Sequence, residues 1–225
     1  MKYEIKGGNF PIVICELEKG ESLKTQSGGM AIMSPHVKME TNTDGGVLKG
    51  LGRALTGDAL FLTHYIAEED NQKVSFASAF PGKIIPMELD GTNTIIGAKN
   101  AFLVSEESVN FETVFRKKLG AGLFGGEGFI LQKFTGKGLV FLEVDGEVLE
   151  YNLEPGEKMF IEAGHLAAMD ETVDFDIERV KGAKNMLLSG EGLFLGTLTG
   201  PGRVWIQTMP LSIFIDNIMP YITTK

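Results

Sequence analysis

Three acidic residues, Asp58, Glu127 and Glu191, stand in one recurring local context, G-D-A-L-F-L, G-E-G-F-I-L and G-E-G-L-F-L. Brought together, three carboxylates either bind a cation or raise one another's pKa. Left apart at strand starts, they are solvated or cap turns. A second candidate is L-E-P-G-E followed by G-H, running from Leu153 to His165, which has a faint likeness to a cupin metal-binding motif. A cupin site needs a His-x-His pair and a carboxylate so that three or four ligands converge. His36, His64 and His165 occupy inequivalent places, so no metal and no cofactor are expected. The glycine-rich stretch from Gly120 to Gly128 lacks the G-K-(S/T) ending of a phosphate-cradling loop. Cys15, the one cysteine, sits in the apolar run P-I-V-I-C and reads as a buried small hydrophobe. There is no G-x-S-x-G, and no Ser/His or Cys/His pairing has a local setting for nucleophilic catalysis. The sequence therefore points to a non-catalytic protein.

Cations are the better candidates. Lys49, Arg53, Arg116, Lys117, Lys118, Arg179, Lys181 and Lys184 make up 8 of 21 basic residues and fall in three short segments. Such clusters dock anionic headgroups, RNA or an acidic protein surface, or are merely a solvated face. Against 30 acidic residues the net charge is −9, which disfavours a protein held mainly by nucleic-acid phosphates. Aromatic side chains that could stack bases between these charges are few, Phe115 and Phe124.

The elements that must position these residues repeat. L-E-K-G-E from Leu17 recurs as L-E-P-G-E from Leu153, and a weaker copy starts at Leu89. V-K-M-E-T from Val37, V-N-F-E-T from Val109 and V-D-F-D-I from Val173 follow, then the glycine-acid signature from Gly57, Gly126 and Gly190. Further on, F-T-G-K-G-L-V-F-L aligns with L-T-G-P-G-R-V-W-I, and K-V-S-F-A is expected to set Phe76 at the position of Phe141 and Trp205. Apolar residues at spacing two between Gly, Pro, Asn and Asp turns argue for short strands. The expected fold is all-β: three tandem β-sandwich or double-stranded β-helix units in a pseudo-threefold arrangement. Their bounds are 1–79, 80–143 and 144–225, the last carrying a C-terminal tail. Leu48, Leu51 and Leu55 suggest a short helix or ordered loop in the first basic segment. The apolar tail from Ser212 is expected to pack on the body or on a neighbouring subunit. With no long apolar run and no signal-like start, the expected location is cytoplasmic.

At K-G-x-x-R-x-L-x-G-D-x-L-F-L, here Lys49 to Leu62, and at L-E-P-G-E…G-H-L-A-A-M, the chain resembles the Altered Inheritance of Mitochondria protein 24 family over nearly its whole length. That family is similar in fold to the tryptophan RNA-binding attenuation protein, and the resemblance implies a triplicated version of that small β unit. It carries over no activity and no binding residue. The combined expectation is a β scaffold that forms a homo-oligomer and binds a protein partner or an anionic membrane surface. An RNA-binding or small-ligand-binding ring is the alternative, and a cupin-like metalloenzyme a weaker one.

Overall fold

The structure is a computed structural model that describes residues 1–26, 28–43, 61–117, 129–179 and 194–222. After an N-terminal strand, β1 (Lys2–Lys6), one succession of strands occurs three times. The first comprises β2 (Ile12–Leu17), β3 (Ser22–Thr25), β4 (Met30–Met33), β5 (Val37–Thr43), β6 (Phe61–Ala67) and β7 (Gln72–Ala77). The second comprises β8 (Gly82–Asp90), β9 (Ile95–Ala98), β10 (Phe102–Glu106), β11 (Val109–Lys117) and the long β12 (Phe129–Asp145), which serves as both fifth and sixth strand. The third comprises β13 (Val148–Leu153), β14 (Lys158–Glu162), β15 (Leu166–Asp170), β16 (Asp174–Arg179), β17 (Phe194–Thr199) and β18 (Gly202–Gln207). An α-helix, α1 (Leu211–Ile218), follows them. The all-β expectation holds.

Pairing recurs with the succession. In the first copy β2 and β4 flank β7, while β3 and β5 flank β6. In the third, β13 and β15 flank β18, while β14 and β16 flank β17. In the second, β8, β9, β10 and β11 all pair with β12. The turns explain part of this regularity. Gly20 and Gly156 close the E-K-G-E and E-P-G-E turns at φ of +87° and +79°, a left-handed backbone that glycine adopts without strain. In those turns the Glu18 N–H donates to Glu21 Oε2 at 2.9 Å and the Glu154 N–H to Glu157 Oε2 at 2.8 Å. In the middle copy the Thr92 N–H donates to Asp90 Oδ1 at 2.7 Å, an Asx turn with the same effect.

One alignment expectation needs correcting. Met30, Phe102 and Leu166 are equivalent, and they lie opposite Phe76, Leu142 and Ile206. The residue matching Phe141 and Trp205 is therefore Ser75, not Phe76. The first copy spends Glu68–Asn71 on a turn between β6 and β7, whereas β12 runs on without one, so a fixed shift fails across that point.

The chain forms two compact units. Unit 1 holds residues 1–92, 102–110 and 136–143. In it the sheet β1-β2-β7-β4 accompanies a second sheet running β12-β10-β3-β6-β5. Strict alternation along β2 turns Val13, Cys15 and Leu17 inward, where they pack with Leu23, Tyr65, Val74, Phe76, Val104 and Phe141. Phe141 meets Tyr3 edge-on at 5.0 Å and Phe76 meets Tyr65 edge-on at 5.3 Å. Burying each such phenylalanine contributes about 1.5–3 kcal/mol.

Unit 2 holds residues 93–101, 111–135 and 144–225. Its sheets run β13-β18-β15-β9-β12 and β14-β17-β16, with β11 also on β12. Ile95, Leu131, Phe134, Leu166, Ile177 and Leu198 are fully buried in it. Gly196 is required in β17, because a Cβ there would come within 2.9 Å of the Phe175 ring and 3.2 Å of Ile161.

Candidate functional site

The fourth strand of each copy delivers the chain to a basic segment. β5 ends at Thr43, β11 at Lys117 and β16 at Arg179. Each pairs with the fifth strand of its own copy. Arg116, Lys117 and Arg179 thus belong to strand ends, where the backbone is described and their side chains are not. Lys49, Arg53, Lys118, Lys181 and Lys184 lie outside the described residues, as do Asp58, Glu127 and Glu191 and the helix expected around Leu48, Leu51 and Leu55. The Gly120–Gly128 stretch, with Leu123 and Phe124, lies outside them too.

What precedes the basic segments is well defined. In unit 2, Phe115, one residue before Arg116, meets Phe129 at 6.3 Å and Phe175 at 5.7 Å, both edge-on. Phe129 and Phe175 are themselves 5.5 Å apart. Edge-to-face packing of this kind fixes the end of β11. It also engages Phe115, which is half-buried, in the protein's own packing rather than leaving its face open for a base.

Each histidine is held in a different setting. His36 stands 3.7 Å from Glu69 on the surface. His64 Nδ1 is 2.9 Å from Glu107 Oε2, and His165 Nδ1 is 2.6 Å from the carbonyl oxygen of Gln207. Among the described residues, no group of three His, Cys, Asp or Glu gathers as metal ligands. Burial pushes the Cys15 thiol up to about 12, so it stays protonated and unreactive near neutrality, in keeping with the small-hydrophobe reading.

The C-terminal tail follows β18. Its start is tied down, with the Leu211 N–H donating to Asp145 Oδ2 at 2.9 Å. Burial raises the Asp145 carboxyl above the ordinary carboxylate range, and that same hydrogen bond opposes the rise. Ser212 and Ile213 are half-buried, yet Ile215, Ile218, Met219, Tyr221 and Ile222 are exposed, Tyr221 at 85%. Within one chain the start of α1 meets the body, and the apolar side chains beyond it lie at the surface, the arrangement that packing on a neighbouring subunit would use. No described helix is long and apolar enough to cross a membrane.

A further feature escaped the sequence altogether: strands from different copies join. In unit 1, Ser105 and Glu106 of β10 pair with Lys24 and Leu23 of β3. In unit 2, Ala168, Met169 and Asp170 of β15 pair with Gly97, Ile96 and Ile95 of β9. The third strand of one copy thus joins the second strand of the copy before it. No local pattern announces such a joint, because the strands concerned lie about eighty residues apart in unit 1 and about seventy in unit 2.

The comparisons with known proteins agree with this architecture. An uncharacterised protein of Streptococcus pyogenes serotype M6 is 30% identical over 224 residues, covering 96% of this chain and 88% of that protein. A crystal structure of another Streptococcus pyogenes protein superposes with a TM-score of 0.81 at 27% identity, covering 98% of this chain and 99% of that one. A family model described as Mitochondrial biogenesis AIM24 matches residues 3–209, and the chain belongs to that family.

Proposed function

We propose that the protein is a non-catalytic, cytoplasmic β scaffold that self-associates and docks on an anionic membrane surface through its basic segments. One observation carries the reading. β5, β11 and β16 occupy the same place in the pairing scheme, so the segments holding the eight basic residues all leave equivalent strands. Lysines and arginines presented repeatedly gain about 1 kcal/mol each near an anionic leaflet. The exposed apolar side chains of α1 and the turn after it add a surface that favours an interface over bulk water.

Cosedimentation with vesicles tests it. Vesicles containing phosphatidylglycerol are expected to retain the protein, and pure phosphatidylcholine vesicles to release it. Reversing Arg116, Lys117 and Lys118 to glutamate is expected to lower the partition by ~100-fold or more. Equal binding to neutral vesicles, or retention undiminished by the reversal, overturns the reading. Saturable binding of an RNA oligomer without vesicle binding replaces it with the nucleic-acid alternative.

A further inference from the structure

We infer that strand β4 of one copy of the chain pairs with strand β14 of a second copy, joining molecules head to tail into a larger β assembly. This deepens the scaffold reading by specifying how the scaffold self-associates.

The template is internal. β4, β10 and β15 are equivalent third strands, and each carries the same register slip against its neighbour, between Met30 and Ile32, Phe102 and Val104, and Leu166 and Ala168. β3, β9 and β14 are equivalent second strands, since Leu23, Ile95 and Met159 face Tyr65, Phe134 and Leu198. Two of the three possible joints between these sets are made, β10 with β3 and β15 with β9. Left over are one strand of each kind. Among the described residues β4 pairs with β7 alone and β14 with β17 alone.

Side chains repeat the argument. Ile32 is 65% exposed, while its equivalents Val104 and Ala168 are fully buried. Met33 is 39% exposed, while Ser105 and Met169 are buried. Phe160 is 62% exposed, while its equivalent Lys24 is 5% exposed. The positions that the joints cover are apolar and open at the two leftover edges. β4, M-A-I-M, also lacks the lysine or proline that natural edge strands use to block pairing. Both halves of the missing joint reside on the same chain, in a register that the existing joints dictate: Ile32 with Ile161, Met33 with Phe160, Ser34 with Met159. A second copy is thus the complementary partner. Strand addition of this kind uses main-chain hydrogen bonds for affinity and side chains for register. Because the two edges differ, the contact is heterologous and propagates into a ring or a chain.

The experiment has two arms. Met33→Cys combined with Phe160→Cys places two thiols on directly opposed residues, a separation a disulfide spans. Mild oxidation is expected to give covalent species at multiples of the single-chain mass, reversed by reductant. Cross-linked product of single-chain mass, or none at all, overturns the inference. In the second arm, Met33→Lys with Phe160→Lys substitutes exposed side chains on directly opposed residues, so folding is retained. Light scattering is expected to show the wild type as an oligomer and the variant dissociating at about tenfold or more higher concentration, since lysines would oppose one another across the joint. A wild type of single-chain mass, or a variant as associated as the wild type, also overturns it. Vesicle binding measured on the same variant keeps the two proposals separable: loss of assembly with binding retained supports this inference whatever becomes of the membrane reading.

Discussion

The joints β10–β3 and β15–β9 perform the same topological task with opposite chemistry. In the first, buried Ser105 lies opposite buried Lys24, whose Nζ donates to the Glu107 carbonyl at 2.9 Å. Thr25 Oγ1 donates to the Leu103 carbonyl at 2.6 Å beside it. In the second, Ala168 and Met169 lie opposite Gly97 and Ile96, and polar contacts are found at its margins. There Lys133 Nζ meets Glu171 Oε1 at 2.6 Å, and Arg203 reaches both carboxylate oxygens of Asp170 at 3.1 Å. Main-chain pairing fixes what the two joints share. Side chains decide how each resists opening, one through hydrogen bonds that are costly to leave unmade and the other through apolar burial. The edges of β4 and β14 are apolar like the second joint.

A charge placed in the apolar joint separates the two most sharply. Ala168→Asp puts a carboxylate at a position with no exposure and no facing donor, since Gly97 lies opposite it. The expected loss is about 3–5 kcal/mol, seen as a lower denaturation midpoint, with lost amide protection centred on β9 and β15. A variant within about 1 kcal/mol of the wild type would show that the joint opens to water and that burial does not hold it. In the polar joint, Thr25→Val keeps the shape but strands the Leu103 carbonyl. The expected cost is smaller, about 1–2 kcal/mol, with protection lost in β3 and β10 rather than in unit 2. An unchanged stability would assign that joint to backbone pairing alone.

How much of this was legible in the sequence follows the same division between local and distant. L-E-K-G-E and L-E-P-G-E could be recognised as one turn because Glu21 and Glu157 each reach back three residues, within a single reading window. The glycine-acid signature aligned Leu62 and Leu131 correctly, and the structure pairs the following residues, Thr63, Gln132 and Gly196, with equivalent partners. Phe76 was misplaced by one because turn length is not part of a strand's pattern. The joints were invisible because either strand edge would accept any extended neighbour, and only the assembled sheets select one. The tail of apolar residues was read as a packing element, yet its composition does not say how much of it finds a surface. The basic residues were singled out by type and recurrence alone, and of these the backbone of Arg116, Lys117 and Arg179 is seen at strand ends.

The smallest expected effect sharpens the comparison at the turns. Glu21 and Glu157 accept the same backbone bond, but Glu21 Oε1 also takes the N-terminal amine of Met1 at 3.0 Å. The Glu18 N–H, foremost, and that amine hold the Glu21 carboxyl below its ordinary 4.5. An acid with a depressed folded value stabilises the fold above its unfolded pKa, and that contribution disappears as the pH falls through the folded value. Glu21→Ala should therefore cost about 0.5–1 kcal/mol at pH 7, little for so exposed a group, and nothing once the pH is below the depressed value. Glu157→Ala should cost less at pH 7, since one of the two bonds is missing there. Urea denaturation of both variants across pH 3 to 7 distinguishes the cases. Equal losses at pH 7 would show that the amine of Met1 adds nothing to the turn, and that the first copy's N-terminal strand is held by its pairing with β2 instead.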